Sequence, residues 1–555
     1  MKMALVQCNS TTGDIVGNTE RILAAWQSAR EAGCDVCVTP ELALSGVEPA
    51  HWLLMPDFMQ GIMRALDHLA TVTREGPPLL VGSPVPALYH ERQFANAAIF
   101  VHQGAWQVVS RKVRGQDTLA SPYVEYAASC GILTHGGWRL GVVLAEDRPN
   151  GQGDFWEMPH AQGSNPLRGL LQRGVDAIVY MAACPWHVGA QRSAERILRQ
   201  VAARHHLHLF GVNMVGGNDN GVCHGHSLAV APAGQLAARA KGFAEDFLVV
   251  DTATAVPEGA AGNPAVTLRC ACDEESIWHT LTLGTRDFVH KCGCEKALLG
   301  LSGGMDSALV AAIACEALGA ENVLAVLMPS PYSSEGSITD SMELAANLGM
   351  HTQTLPIEPA MQSLGQTLEN SLAAMPAREG DTTMQNVQSR IRGVLLTALA
   401  NRMGALVLNT SNKSEAAVGY STLYGDTVGA LAVIGDLTKS QVYAVGRWYN
   451  GHRGRAIIPE AIFAKAPSAE LAPGQKDSDS LPPYERLDPL LESLLTAPGT
   501  AMNTVPLDGP EAREVRRKLF AAEFKRRQEA PPLIISQTPF GSAWRVPVVG
   551  RYRPV

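Results

Sequence analysis

The chain has 555 residues, of which 46% are hydrophobic and 18% charged, and 45 Lys+Arg against 53 Asp+Glu leave a formal charge of −8. That length exceeds what one hydrophobic core supports, so two large domains are expected. The acidic balance and the lack of any Lys/Arg block argue against a nucleic-acid partner. No apolar run approaches the ~18–20 residues of a membrane span, and Met1 to Gln7 enters a strand-like run directly, so neither a signal peptide nor a membrane partner is expected. Eleven cysteines scattered over the chain read as reduced thiols of a cytoplasmic protein. Cys270-x-Cys272 and Cys292-x-Cys294 lack the usual C-x₂₋₄-C zinc spacing and are expected to be small buried thiols near a domain junction.

In chain order, Met3 to Gln7 reads as a buried strand and Thr19 to Ala32 as a helix stopped by Gly33. Cys34 to Thr39 is a second apolar strand, broken by Pro40, with Glu41 at its carboxyl end. Further strands are expected at 78–81, 97–101, 106–109, 140–144, 175–182 and 207–215, with helices at 58–72 and 194–204. This is a layered α/β plan in which several strands feed one site.

Thr39-Pro40-Glu41-Leu42-Ala43-Leu44-Ser45-Gly46 resembles the general-base strand of the nitrilase-type amidases. Ser110-Arg111-Lys112 resembles the strand carrying their lysine, and Leu140 to Asp147 their nucleophile elbow. Ala182 to His187 and Asn213 to Gly217 match two further stretches. The resemblance implies an α-β-β-α sandwich in which Glu accepts a thiol proton, the Cys thiolate attacks an amide and Lys stabilises the oxyanion. Here the nucleophile position is Ala145, so Glu41, Lys112 and Ala145 form a vestigial triad. The family's glutamine pocket also has a Tyr where Thr118 falls, a Ser where Cys184 falls and a Lys where Ala190 falls, although Tyr123 could supply the missing ring. Several departures together point to a naturally inactive glutaminase. The alternative is a glutamine-dependent enzyme with a laboratory Cys-to-Ala change. Cys184 and Cys130 read as small buried hydrophobes rather than as substitute nucleophiles.

Pro257 to Pro264 breaks the pattern. The expected division is residues 1–256 for the first domain, 257–276 for a linker and 277–555 for the second. A helix from Ile277 leads to strand Ala297-Leu298-Leu299, then Ser302-Gly303-Gly304-Met305-Asp306-Ser307 and an apolar helix from Ala308. Two glycines and a helix start make a nest of N–H groups for phosphate, without the Gly-Lys-Ser/Thr of a Walker A loop. Asp306 is a hard oxygen ligand suited to Mg²⁺. Strands at 322–328, 351–357 and 405–409 alternate with helices at 337–348 and 383–403, which implies a doubly wound parallel sheet with its ligands at the strand carboxyl ends.

The phosphate loop resembles that of the N-type ATP pyrophosphatases. Followed by Gln385 to Arg392, Thr410 to Glu415, Gly419 to Asp426, Gly435 to Lys439, Pro467 to Leu471, Asp477 to Tyr484 and Phe524 to Arg527, it resembles the NAD⁺ synthetases, and the whole chain their two-domain glutamine-dependent type. The resemblance implies ATP and Mg²⁺ as cofactors and deamido-NAD⁺ and ammonia as further partners, in a homo-oligomer. It implies that Ser302, Gly303, Gly304, Asp306 and Ser307 cradle the ATP phosphates, that Thr410 contacts the nucleotide, and that Lys439 and Ser468 reach its phosphates. It assigns Mg²⁺ to Asp306 and Glu415, and deamido-NAD⁺ to Asn386, Glu415 and Lys525, with Asp306, Glu415 and Lys439 catalytic. Gln385 stands where Glu is usual and Ser411 where Gly is usual, and neither removes a charged group. The expected function is therefore NAD⁺ synthesis from free ammonia. A reading from another class, a non-catalytic nucleotide-binding protein, is disfavoured by the retained Asp306, Glu415 and Lys439.

Overall fold

The computed structural model describes residues 1–88, 93–113, 123–145, 166–253, 266–376, 379–496 and 505–550. The chain divides into two compact units, Met1–Cys270 and Ala271–Val555, a division that falls inside the stretch read as a linker. The Gly/Ala/Pro-rich run 257–264, Thr118 and the Glu146-Asp147 end of the elbow lie outside the described residues.

The first unit holds two six-stranded sheets. One contains β1 (Lys2–Gln7), β2 (Val36–Val38), β3 (Leu79–Pro86), β4 (Phe94–His102) and β5 (Ala105–Arg111). The other contains β6 (Gly131–His135), β7 (Trp138–Leu144), β8 (Ala177–Ala182) and β9 (His208–Asn213). The strands β10 (Val215–Asn218) and β11 (Gly221–His224) pair by themselves. β12 (Leu228–Val230) and β13 (Leu236–Arg239) extend the second sheet, and β14 (Asp246–Asp251) closes the first against β1. Met3, Leu5, Val38 and Leu80 of one sheet share a buried layer with Leu140, Val142, Leu144 and Val179 of the other. Alternate residues of the first sheet, among them Ala4, Val6 and Val81, face α1 (Ile15–Glu31) and α2 (Pro56–Val72). Ile178 and Leu209 face α3 (Pro166–Gln172) and α4 (Ala190–His205). The period-two split of each strand between two apolar layers produces the α-β-β-α sandwich.

Several expected boundaries moved. β3 continues to Pro86 because it pairs with β2 only at Leu79 and Leu80 and with β4 throughout, so its prolines cost no bond on the open side. The expected strand 207–215 ends at Asn213, after which β10 leaves the sheet for β11. β6 and β11 to β14 were not foreseen. β6 and β11 to β13 are short, and β6 and β11 mix Gly and polar residues with apolar ones, which gives weak periodicity, whereas β14 has an apolar run, Phe247 to Val250, that was passed over.

The second unit carries a five-stranded parallel sheet in the order β17 (His351–Thr354), β16 (Val323–Leu327), β15 (Ala297–Gly300), β18 (Leu406–Asn409), β19 (Leu431–Ala432). The chain leaves β15 toward β16 and β17, then returns to β18 on its other side, so the strand order reverses at β15. Its helices are α5 (Asp273–Lys291), α6 (Met305–Leu318), α7 (Glu335–Leu348), α8 (Glu358–Ala373), α9 (Thr383–Met403), α10 (Lys413–Val418), α11 (Lys439–Arg453), α12 (Glu460–Ala464), α13 (Tyr484–Leu495), α14 (Pro510–Ala521) and α15 (Glu523–Arg526). Leu298 and Val326 pack on Val387, Ile391 and Leu396 of α9, while α13 and α14 form a separate cluster with Ala417 and Val418. The polar stretch before α9 contains α8, which has no fully buried residue and so shows little helical periodicity.

The cysteine pairs correct the sequence reading. Cys292 is exposed and Cys270, Cys272 and Cys294 are half-buried, because three of them flank the ends of α5 instead of packing in a core. Among the described residues no helix is long and apolar enough to cross a membrane.

Candidate active site

In the first unit, the chain leaves β2 in a turn that carries Glu41 inward. A Cβ on Gly82 would lie 2.2 Å from the Pro40 carbonyl oxygen, so the absence of a side chain there lets this turn lie on β3. Glu41 is 2% exposed and Lys112, just beyond β5, is 5% exposed. The Lys112 Nζ lies 2.7 Å from Glu41 Oε1, and Asn96 Nδ2 donates to the same oxygen at 2.5 Å. Asn96 also accepts the Lys112 backbone N–H at 2.8 Å, so one residue of β4 holds both partners. Sequence reasoning missed Asn96, which belongs to no motif. Ala145 follows β7, is fully buried, and donates its N–H to the Met181 carbonyl at 2.8 Å. A methyl group there has no lone pair to offer a carbonyl carbon. Cys184 is half-buried with its N–H on Asn213 Oδ1, and Ala190 opens α4. Tyr123 packs at the margin of the α1–α2 layer.

In the second unit, the loop after β15 turns at Gly303, where φ is +76° and a Cβ would sit 2.5 Å from the Ser337 carbonyl oxygen of α7. Only glycine meets both demands. Ser302 Oγ and Ser307 Oγ lie 3.1 Å apart, and the Ser307 hydroxyl donates to the Gly304 carbonyl, which closes the loop onto the start of α6. Asp306 stands in the first turn of that helix. After β18, Asn412 caps α10, and Glu415 follows in its first turn. Lys439 opens α11 behind a Thr438/Gln441 capping box.

These three ends meet. Lys439 Nζ is 2.5 Å from Asp306 Oδ2 and 3.1 Å from Glu415 Oε1. Burial pushes Glu415 up to about 7 against the pull of Lys439. Burial alone would lower Lys439, but Asp306 and Glu415 outweigh it and hold the ammonium above its ordinary value. Asp477 is also raised by burial, accepts the Tyr484 hydroxyl at 2.8 Å, and the Tyr484 ring lies 5.3 Å from Lys439 Nζ.

A cavity of about 280 Å³ opens over this cluster. Its lining includes Ser302, Gly303, Gly304, Asp306, Ser307, Thr410, Glu415, Lys439 and Ser468. Ser468 is braced in its own loop, donating to the Gln475 carbonyl and accepting the Glu470 N–H. Asn386 and Lys525 do not line the cavity. They converge instead on one of its walls: Thr422 donates to Asn386 at 2.9 Å, and Lys525 donates to the Gly419 and Ser421 carbonyls at 2.7 and 2.6 Å. Sequence reasoning missed Lys465, which reaches Ser337 Oγ at 2.8 Å and Asp340 at 3.0 Å. It also missed Arg392, whose Nε donates to the Met328 carbonyl and whose pKa burial lowers. Both line the cavity; Arg392 ends the stretch Gln385 to Arg392 but is given no role there, and Lys465 lies in none of the matched stretches. The donor set suits a divalent cation, with two carboxylates already gathered around a positive charge at the edge of an N–H cradle. The nest itself suits phosphate.

Residues 277–529 match the NAD synthase family and residues 2–151 the carbon–nitrogen hydrolase family. The glutamine-dependent NAD(+) synthetase of Synechocystis sp. is 41% identical over 567 residues, covering 100% of this chain and 99% of that protein. The protein of the same name from Thermotoga maritima is 37% identical, with 100% and 99% covered. The solved structure of glutamine-dependent NAD+ synthetase from Acinetobacter baumannii in complex with adenosine diphosphate is 30% identical with a TM-score of 0.75, covering 99% of this chain and 98% of that one. With both family matches in place and a 41%-identical relative aligned over the whole chain, the chain belongs to the two-domain glutamine-dependent NAD⁺ synthetase family.

Proposed function

We propose that this chain makes NAD⁺ from deamido-NAD⁺ and ATP with free ammonia as its nitrogen donor, its amidase half being naturally inactive. The observation that carries this reading is the buried methyl of Ala145 at the nucleophile position, in a chain that keeps Asp306, Lys439 and Glu415 in contact. The nicotinate carboxylate of deamido-NAD⁺ is a poor electrophile because its leaving group would be oxide. Transfer of AMP from ATP to that oxygen releases pyrophosphate and makes AMP the leaving group. Ammonia then attacks the acyl carbon, AMP departs with the C–O electron pair, and the amide loses the extra proton to solvent.

Each step draws on a part of this site. The N–H groups and hydroxyls of Ser302 to Ser307 hold the phosphates, with Thr410 and Ser468 on the nucleotide. Lys439 offsets the charge that grows on pyrophosphate as it leaves. Asp306 and Glu415 are the residues that would hold Mg²⁺, which when bound supplies Lewis-acid neutralisation of the phosphate oxygens. Asn386, Glu415 and Lys525 orient deamido-NAD⁺. The first unit then serves as a scaffold or as an oligomerisation surface.

One observation favours the other reading: the full-length relatives are named for glutamine dependence. Measuring NAD⁺ formation with ammonium and separately with glutamine tests the proposal. Turnover with ammonium alone is expected, and glutamine turnover at a comparable rate overturns it.

A further inference from the structure

Asn412 joins the two carboxylates assigned to the cation, and no motif role is given to it. It lies between β18 and α10 and is fully buried. Its Nδ2 donates to Asp306 Oδ1 at 2.9 Å, and its Oδ1 accepts the Glu415 N–H at 3.0 Å. The chemistry of the partners fixes the amide's orientation, since a carboxylate only accepts and an N–H only donates. The remaining oxygen of Asp306, Oδ2, is the one facing Lys439.

A helix cap alone would not select asparagine. Serine, threonine and aspartate cap as well, because a cap needs only an acceptor. Donating to a buried carboxylate while capping requires an acceptor and a donor on two separate atoms that point in different directions; a hydroxyl has both functions on one oxygen, whereas the short amide places its Oδ1 on the helix and its Nδ2 on Asp306. The bond to Asp306 reaches across the point where the strand order reverses, from the loop after β18 to the helix that follows β15, while the bond to Glu415 stays within the cap of α10. One end pins Asp306 and leaves Oδ2 for a positive charge. The other sets the first turn of the helix that carries Glu415.

We propose that Asn412 is the positioning residue of the divalent-cation site, holding Asp306 and Glu415 side by side. The proposal rests on the reading of those two carboxylates as cation ligands. Groups that orient ligands from one bond away typically change metal affinity by about 10–100-fold when removed. The short amide earns no such role if it serves only as a cap.

The test uses the full chain with Mn²⁺ as the probe and a non-hydrolysable ATP analogue, reading free Mn²⁺ by electron paramagnetic resonance without turnover. N412S keeps a capping oxygen, but its single hydroxyl sits one bond short of the amide nitrogen and no longer meets Asp306 while it caps, whereas N412A loses both contacts. Both are expected to weaken Mn²⁺ binding about 10–100-fold. N412S should melt close to the parent and N412A lower. In turnover, the Mg²⁺ requirement of N412S should rise with the KM for deamido-NAD⁺ unchanged. Parent-like Mn²⁺ affinity in N412S, alongside weakened binding in D306N, overturns the proposal and leaves the ligand assignment standing. Parent-like affinity in D306N and E415Q overturns the assignment beneath it. Loss of affinity in N412S only in step with lost melting temperature marks a folding defect and also overturns it.

Discussion

Each unit buries a lysine against carboxylate, yet the two clusters differ in what can reach them. In the first, the side chains of Lys112 and Glu41 are 6% and 3% exposed, and Asn96 holds the same carboxylate oxygen. In the second, Lys439 is equally hidden at 5%, but the carboxylates of Asp306 and Glu415 are 18% exposed and line a cavity. An ion pair closed in by protein offers little surface to a ligand, whereas one open to a cavity retains oxygens for it. The comparison shows why a retained charge is a poor sign of retained activity. Removing one half of a buried pair strands the other, so selection against instability keeps both even when the chemistry has gone.

The sharpest way to break that contrast is to remove the cation from each cluster. K112M takes the ammonium away from the buried Glu41 carboxylate and should destabilise the first unit by about 3–5 kcal/mol, read by denaturant unfolding. Ammonium-driven NAD⁺ synthesis per folded molecule should not change. The double variant E41L/K112M should recover much of the lost stability, because it leaves no charge behind. K439M should do the reverse, lowering kcat by about 10²–10³-fold while the chain stays folded, since its carboxylates are open to water from the cavity. A K112M chain that loses synthesis while remaining folded would remove the distinction between the two sites.

The residues that gather around the second unit's cavity were legible because they come in runs. Ser302 to Ser307, Thr410 to Glu415 and Gly435 to Lys439 each follow a strand, so motif and position coincide. Asn96, Asn412, Arg392 and Lys465 were not assigned roles because each makes a contact with a residue distant in the chain, which nothing local marks. The strands of the sandwich were legible where a run was apolar, as in β1, β7 and β8. They were lost where they were short or mixed, as in β6 and β11, and β14, with its apolar run Phe247 to Val250, was passed over although it reads like β1. The cysteine pairs failed for a different reason: a thiol packs equally well in a core or at a helix end, so its position carried no signal.

A smaller effect comes from two imidazoles of the first unit. Burial pushes His224 down to about 4, with His187 adding to it, and burial pushes His226 down to about 2, with His224 and Arg239 adding. Their Nδ1 atoms lie 3.1 Å apart, so one ring donates while the other accepts, and protonating the acceptor removes that bond. Both folded values lie below the unfolded 6.5, so this stability is present above pH 6.5 and falls as the unfolded chain takes up protons that the folded chain refuses. At pH 5 each ring should cost the first unit on the order of 2 kcal/mol relative to pH 7. Unfolding midpoints across pH 5 to 7 test this, and H226Q should flatten part of the dependence. A flat parent profile would mean that the rings are solvated.

The smallest expected effect is also the one that bears most on whether the first cluster is a relic. A145C restores sulfur next to a retained base and lysine, and if the nucleophile were all that is missing, glutamine hydrolysis would return. A thiolate alone does not make a glutaminase, because the glutamine side chain must also be held against it. The positions expected to hold it are Thr118, Cys184 and Ala190. Ala190 ends in a methyl group at the start of α4, and the Cys184 thiol is at most a weak hydrogen-bond partner. A145C should therefore give little ammonia release from glutamine, measured in a coupled assay without deamido-NAD⁺, and no thioester detectable by mass spectrometry. Substantial hydrolysis by this single variant would mean that the pocket is intact and that alanine at 145 is a recent change, engineered or otherwise. The closed Glu41–Lys112 pair would then be an active site waiting for its nucleophile.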